Sequence, residues 1–317
     1  MGPSPWRMPY YFGSPTTEIH RTWIVALVFE FIYFLALLGF LGFLMRKKPA
    51  RNAQNKIPFV SVLSSLATNA LAAFLSIISL FYNVLQHTAT QRYVVLLMIQ
   101  TISQMAAFVL MFFVYYRILS HYLERIHAST ERPLLMDALH SFILGILAII
   151  SAVKAILYMV VLAQNVNHAY SDVTSTYLNI SASQEIIYWL ASLEIVGCAA
   201  FVMFKAKSFE LSRRSGLAWI FLGSLFFYGV HFFYAIIAIR YNLEMVETPS
   251  SLTGGVPTII FAICVLGAYA GISVSCMQLY KRSYPPTVSQ PIPLESLVTK
   301  PSVSTSVVAG STSRATP

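Results

Sequence analysis

Seven stretches of this chain are apolar for long enough to cross a lipid bilayer, and that constrains the fold more than any motif in it. A hydrocarbon core of about 30 Å takes roughly 20 residues of helix. The stretches run from Thr22 to Met45, Ile57 to Tyr82, Tyr93 to Tyr116, Leu134 to Ala163, Glu185 to Phe204, Gly216 to Ile239 and Thr258 to Tyr280. The predicted fold class is therefore all-α: a polytopic membrane protein, a seven-transmembrane-helix bundle. An N-terminal segment covers residues 1–21, the bundle 22–282, and a Ser/Thr/Pro-rich tail, expected to be disordered, 283–317.

Composition supports that solvent. Only 10% of the residues are charged, against about 25% in soluble domains. That composition argues against a cytosolic enzyme, and no nucleic-acid partner is expected, because the net charge of +9 has a topological explanation. Of the 21 Lys and Arg, 16 fall in the connections after spans one, three and five and in the tail, and four fall in the N-terminus and the other connections. That bias predicts the N-terminus outside and the C-terminus cytoplasmic. The N-x-S/T sequon at Asn179 then lies outside, where it would be a glycosylation site. The first 21 residues lack the apolar run of a signal peptide, so span one is expected to serve as an uncleaved anchor. Trp6, Tyr10, Tyr11 and Phe12 fit either an interfacial belt or an unstructured tail.

Cysteine and proline add negative information. Cys198, Cys264 and Cys276 all lie in spans, so no pair is available to staple the outer loops; Cys276 is read as a core thiol or, beside Lys281 and Arg282, a palmitoylation site. Pro58, Pro133 and Pro257 open spans two, four and seven, where a missing N–H costs nothing. The G-x-x-x-G of Gly267 and Gly271, and the small residues Gly197 to Ala200, predict close helix approaches.

Seven spans with the N-terminus outside invite comparison with G-protein-coupled receptors. Span three ends Tyr115-Tyr116-Arg117 where the largest receptor family carries an acidic residue, Arg and an aromatic, and span seven has no NPxxY-like run. The intramembrane lysine is in span four, not in span seven as in retinal pigments. A diverged receptor stays open; a typical one does not.

The ionisable residues inside the spans carry the functional argument, since each costs roughly 2.5 to 3.5 kcal/mol to insert. Lys154, Glu194 and His231 lie nine residues from the exoplasmic end of their predicted spans and Glu30 eight, a depth of about 12 to 14 Å. Gln100 and Gln104 bracket the same level. Two readings follow. In one, Lys154 and Glu194 neutralise each other and the glutamines join helices. In the other, the layer is a buried pocket, with Glu30 and Glu194 as candidate catalytic acids and Lys154, His231, Gln100 and Gln104 as candidate binding residues. On span four, His140, Leu144, Leu147, Ser151, Lys154 and Tyr158 share one face, expected to point inward, with Asp137 stabilising the helix start. Span six is dense in aromatics from Trp219 to Tyr234, read as packing or as a wall attractive to cations.

No H-E-x-x-H, C-x-x-C, Walker loop or G-x-S-x-G occurs, and with only Asp137 and Asp172 an aspartate-rich diphosphate motif is excluded. Neither metal nor cofactor is expected. If the protein is an enzyme, its chemistry is of the protonation type, in which a carboxylic acid beside aromatic walls starts a carbocation cyclisation. In span number, size, buried carboxylates and polar tail the chain resembles the seven-helix terpene cyclases and related integral membrane proteins of fungal secondary-metabolite pathways, including indole-diterpene clusters. The resemblance implies a lipophilic, isoprenoid substrate and a cyclase or accessory role. A diverged receptor and a transporter or lipid-handling protein remain alternatives. The expected partners are the bilayer and a lipophilic small molecule; endoplasmic reticulum and plasma membrane fit equally.

Overall fold

The computed structural model describes residues 9–10, 17–46, 58–85, 89–90, 93–126, 134–167, 173–208, 216–243 and 255–283. Trp6, Tyr11, Phe12, most of the basic loop residues and the tail beyond Ser283 lie outside the described residues. Seven helices account for nearly all of it: α1 (Thr17–Arg46), α2 (Phe59–Leu85), α3 (Tyr93–Ile126), α4 (Leu134–Asn167), α5 (Val173–Ser208), α6 (Leu217–Ile237, continued by a π-helical turn Ala238–Leu243) and α7 (Gly255–Ser283). A short antiparallel bridge pairs β1 (Pro9–Tyr10) with β2 (Ala89–Thr90). All seven helices are long and apolar enough to cross a membrane.

The helices alternate in direction. His20 at the start of α1 donates to the Val84 carbonyl at the end of α2 at 3.0 Å, and Ser120 near the end of α3 donates to Asp137 in the first turn of α4 at 2.9 Å. Each helix packs on its sequence neighbours, and α7 closes the ring against α1. Helix α3 is the most central, touching α2, α4, α5 and α7. An odd number of alternating helices puts Thr17 and Ser283 at opposite ends of the bundle; these are called here the N-terminal and C-terminal ends.

The exterior is apolar. Phe204 is 72% exposed, Ile149 67% and Phe142 66%. Such a surface is unfavourable in water by about 25 cal/mol per Å² and indifferent in lipid. Trp219 and Phe232 of α6 also face outward, whereas Phe227, His231 and Tyr234 of the same helix face the interior. The aromatic run therefore serves both sides of one helix.

Near the C-terminal end the core is closed and dry. Leu44, Leu66, Ile118, Leu119, Ile220 and Ile272 are fully buried. Gly223 and Gly271 bring α6 and α7 together: a Cβ on Gly271 would stand 2.5 Å from the Trp219 carbonyl oxygen and 2.6 Å from the Gly223 Cα. A Cβ on Gly267 would meet the Phe226 ring at 2.5 Å, so both glycines of the G-x-x-x-G are in close approach. Gly216, at the start of α6, takes φ +71° against Ser275 and Tyr122. The expected close approach at Gly197 is absent: it faces outward and a Cβ there meets nothing within 4 Å. Cys276 is buried at 2% exposure, inside the core and away from an acylating surface.

Candidate functional site

The predicted spans and the observed helices agree to within about five residues except at the end of α3, which runs past Tyr116 to Ile126, and at the start of α5, which decides which polar residues meet. Helix α5 begins at Val173, 12 residues before the predicted start of span five at Glu185. Nothing between Val173 and Ser208 interrupts a helix, since the segment has neither Pro nor a Gly at a turn position. Its 36 residues extend about 54 Å, far more than the hydrocarbon core. Counted from Val173, Glu194 lies about 31 Å along the helix, against about 13 Å when counted from Glu185.

The partner of Lys154 changes accordingly. Its ammonium donates to Glu185 Oε1 at 3.2 Å, and Glu194 pairs elsewhere. The inward face of α4 meets α5 in a ladder. Ser151 donates to the Leu147 carbonyl at 2.6 Å, so its oxygen accepts from the Tyr188 hydroxyl at 2.5 Å and from Gln184 Nε2 at 3.0 Å. His140, Leu147 and Ser151 are all buried, so the face read from the sequence does point inward.

Beside this ladder the packing opens into two cavities. The larger, about 260 Å³, has Lys154, Glu185, Gln184 and Tyr188 on one side and Gln104, Phe108, His231 and Tyr234 on the other. The smaller, about 140 Å³, is lined by Glu30, Tyr33, Asn69, Ser76, Gln100 and Gln104. Gln104, Tyr234 and Phe261 belong to both, so the cavities adjoin. Five of the six predicted site residues, Glu30, Gln100, Gln104, Lys154 and His231, thus line one pair of chambers. Glu194 does not.

His231 is the sharpest feature. It is 1% exposed, and neither ring nitrogen has a hydrogen-bond partner. Phe227 lies edge-on at 4.7 Å between centroids, Tyr188 at 5.1 Å and Phe108 at 5.2 Å, and Phe112 stacks at 5.5 Å. An imidazole in such a box loses its water and gains no polar contact in return, a cost of about 1 to 3 kcal/mol for each unsatisfied group. Gln184 Oε1 in the larger cavity and Gln100 Oε1 in the smaller are likewise buried without a hydrogen bond, while the Tyr33 hydroxyl meets Asn69. Buried polar atoms in native proteins are nearly always bonded. Three side chains with unbonded polar atoms thus border the adjoining cavities.

Glu30 is 8% exposed and faces Ser76 across the α1–α2 seam. It has Tyr33, Tyr234 and Phe261 as cavity neighbours, a carboxyl group beside aromatic walls. Sequence reasoning missed Glu185, Gln184, Tyr188 and Tyr33. Helical spacing offered a signal for the last two: Tyr33 follows Glu30 by three residues, and Tyr188 follows Gln184 by four.

Glu194 belongs to a second cluster nearer the C-terminal end. It accepts from His140 Nε2 at 3.0 Å and from the Cys198 thiol at 3.1 Å, both on the same oxygen. Asn179 lies in the second turn of α5, exposed, its carbonyl accepting from Ser183 at 2.9 Å. No known family and no characterised protein matches this chain in sequence.

Proposed function

We propose that this multi-pass membrane protein binds a lipophilic small molecule carrying hydrogen-bonding groups in the two adjoining cavities of the bundle. The observation that carries the reading is His231, buried and unpartnered on the wall of the larger cavity. A purely structural layer would pair its polar groups among themselves, as Lys154 and Glu185 do. The His231 ring nitrogens and the side-chain oxygens of Gln184 and Gln100 do not.

The volumes bound the guest. An apolar cavity of about 150 Å³ accommodates benzene, so 260 Å³ takes a compact ring system or one end of a longer isoprenoid. A larger terpenoid would have to occupy both chambers. Its polar group would meet His231 or Gln184 while the hydrocarbon lies against Phe108, Tyr188 and Phe261.

A cyclase reading rests on Glu30. The residue is the carboxyl group of the smaller cavity's wall, Glu185 of the larger being paired with Lys154, and ring faces nearby would stabilise a developing cation. In that reading Glu30 gives its proton to an epoxide oxygen or alkene carbon of the substrate. The carbocation ring-closes along the aromatic wall, and a proton returns to the carboxylate when the final alkene forms. Under the positive-inside rule the cavities lie in the exoplasmic half and Asn179 is available for glycosylation.

The test is extraction and mass spectrometry of small molecules copurifying with the full chain in detergent. Wild type should retain a hydrophobic compound that His231→Phe loses. Identical extracts from both would remove the ligand-binding reading. Glu30→Gln separates the chemistry: a cyclase keeps the bound compound but accumulates its acyclic form, whereas a binding or transport protein carries the same compound with either residue.

A further inference from the structure

The second polar cluster has no part in the cavities, and its donor set is distinctive. We propose that His140, Glu194 and Cys198 form a binding site for one divalent transition-metal ion of the zinc class, clasping α4 to α5.

The three donor atoms already converge. His140 Nε2 and Cys198 Sγ lie 3.0 Å and 3.1 Å from Glu194 Oε1, and all three side chains offer ligand atoms within 4.8 Å of one another. Zinc bonds of about 2.0 to 2.3 Å set tetrahedral donors roughly 3.3 to 3.8 Å apart. Two edges of the triangle therefore need to open by a few tenths of an ångström, and the His140 to Cys198 edge needs to close by at most about one. Glu194 and Cys198 are four residues apart on one helix face, and His140 arrives from the facing helix. A one-turn pair plus one donor across a seam closes onto a metal without any backbone rearrangement.

Fixation and burial point the same way. The Tyr116 ring stacks on His140 at 4.3 Å and 18°, holding the imidazole plane toward Glu194. His140 is 4% exposed and Cys198 9%. Glu194 Oε1 already accepts from both other donors and the Tyr116 hydroxyl reaches the same carboxylate, so that group is held in place, while His140 Nδ1 is buried without a hydrogen bond.

Charge selects the ion. Binding converts the Cys198 thiol to a thiolate, with its proton leaving to solvent and a metal–sulfur bond forming. A dication held by one thiolate, one carboxylate and a neutral imidazole has zero net charge, the condition under which an ion is tolerated at membrane depth. A monovalent ion would leave the site negative. Thiolate and imidazole donors favour zinc, cobalt or nickel over magnesium or calcium, which prefer oxygen. Three protein donors leave a fourth position open.

The experiment uses the full chain in detergent micelles, stripped with a chelator and titrated with Zn²⁺ or Co²⁺. One ion per chain, release of about one proton per ion, and a thiolate-to-cobalt charge-transfer band are expected. Cys198→Ser, which keeps the hydrogen bond to Glu194, should abolish that band and weaken binding at least about tenfold; Cys264→Ser should preserve both. Helical circular dichroism of each variant verifies the fold. Failure of folded wild type to bind stoichiometrically, or an unchanged cobalt spectrum in Cys198→Ser, overturns the proposal. Neither outcome touches the cavity residues, so the ligand reading stands or falls separately.

Discussion

The two halves of the bundle solve the problem of burying polar groups in opposite ways. Toward the C-terminal end, hydroxyls are spent on other helices: Tyr115 reaches the Ala268 carbonyl at 3.4 Å, and Tyr122 meets Ser275 at 3.2 Å. At mid-bundle Ser65 donates to the Ala107 carbonyl at 2.9 Å and accepts from Tyr269 at 2.7 Å. Glycines draw α6 and α7 into backbone contact there. Toward the N-terminal end the helices separate around two cavities, and His231 and the side-chain oxygens of Gln184 and Gln100 border them without hydrogen bonds. The difference lies in what adjoins the unbonded atoms: His140 Nδ1 is packed among side chains, whereas those of His231, Gln184 and Gln100 border cavities.

Substitutions should expose that difference. The largest effect is expected from Gly271→Leu, which drives a side chain into the Trp219 carbonyl and Gly223. Overpacking at backbone contact should cost at least about 3 kcal/mol, read as loss of a cooperative thermal transition in detergent. Survival of the transition would mean that the closed half is looser than it is drawn here.

Next comes Lys154→Met in the open half. It leaves Glu185 half-buried without its cation, a loss of about 3 kcal/mol. Lys154→Met combined with Glu185→Leu should recover most of it, and a double-mutant cycle in thermal stability measures the coupling. Additive effects would show that the pair is held by the cavity and not by each other.

His231→Phe should do the reverse of an ordinary core mutation. Removing an unsatisfied imidazole from an aromatic box should raise stability by about 1 kcal/mol while binding is lost. A destabilised variant would mean that the imidazole has a structural partner. The smallest effect belongs to Gly197→Ala, where a methyl meets nothing; the change should stay within about 0.5 kcal/mol, against a large loss for Gly271→Ala at the same chemistry.

Much of the site was legible before the fold. Glu30, Gln100, Gln104, Lys154 and His231 came from one physical fact, that ionisable and amide groups are costly in lipid and must be explained. Depth counted at 1.5 Å per residue brought them to one layer because α1, α3, α4 and α6 begin or end close to where apolarity begins or ends. The same count failed for Glu194, since α5 runs on through the polar stretch Val173 to Gln184, where hydropathy is silent about whether the helix continues. Gly197 misled for a related reason: a small residue permits an approach but does not say which way it faces.

What the sequence by itself determined was the number of helices, the limits of most of them and the polar residues that needed an explanation, because the thickness of hydrocarbon and the cost of an unbonded peptide group are properties of the solvent. What only the tertiary structure decided was the pairing. Lys154 meets Glu185 and not Glu194, and Glu194 meets His140 and Cys198. Those partnerships depend on how far each helix extends and how it is rotated about its own axis. Contacts between helices set both, and no single helix contains them.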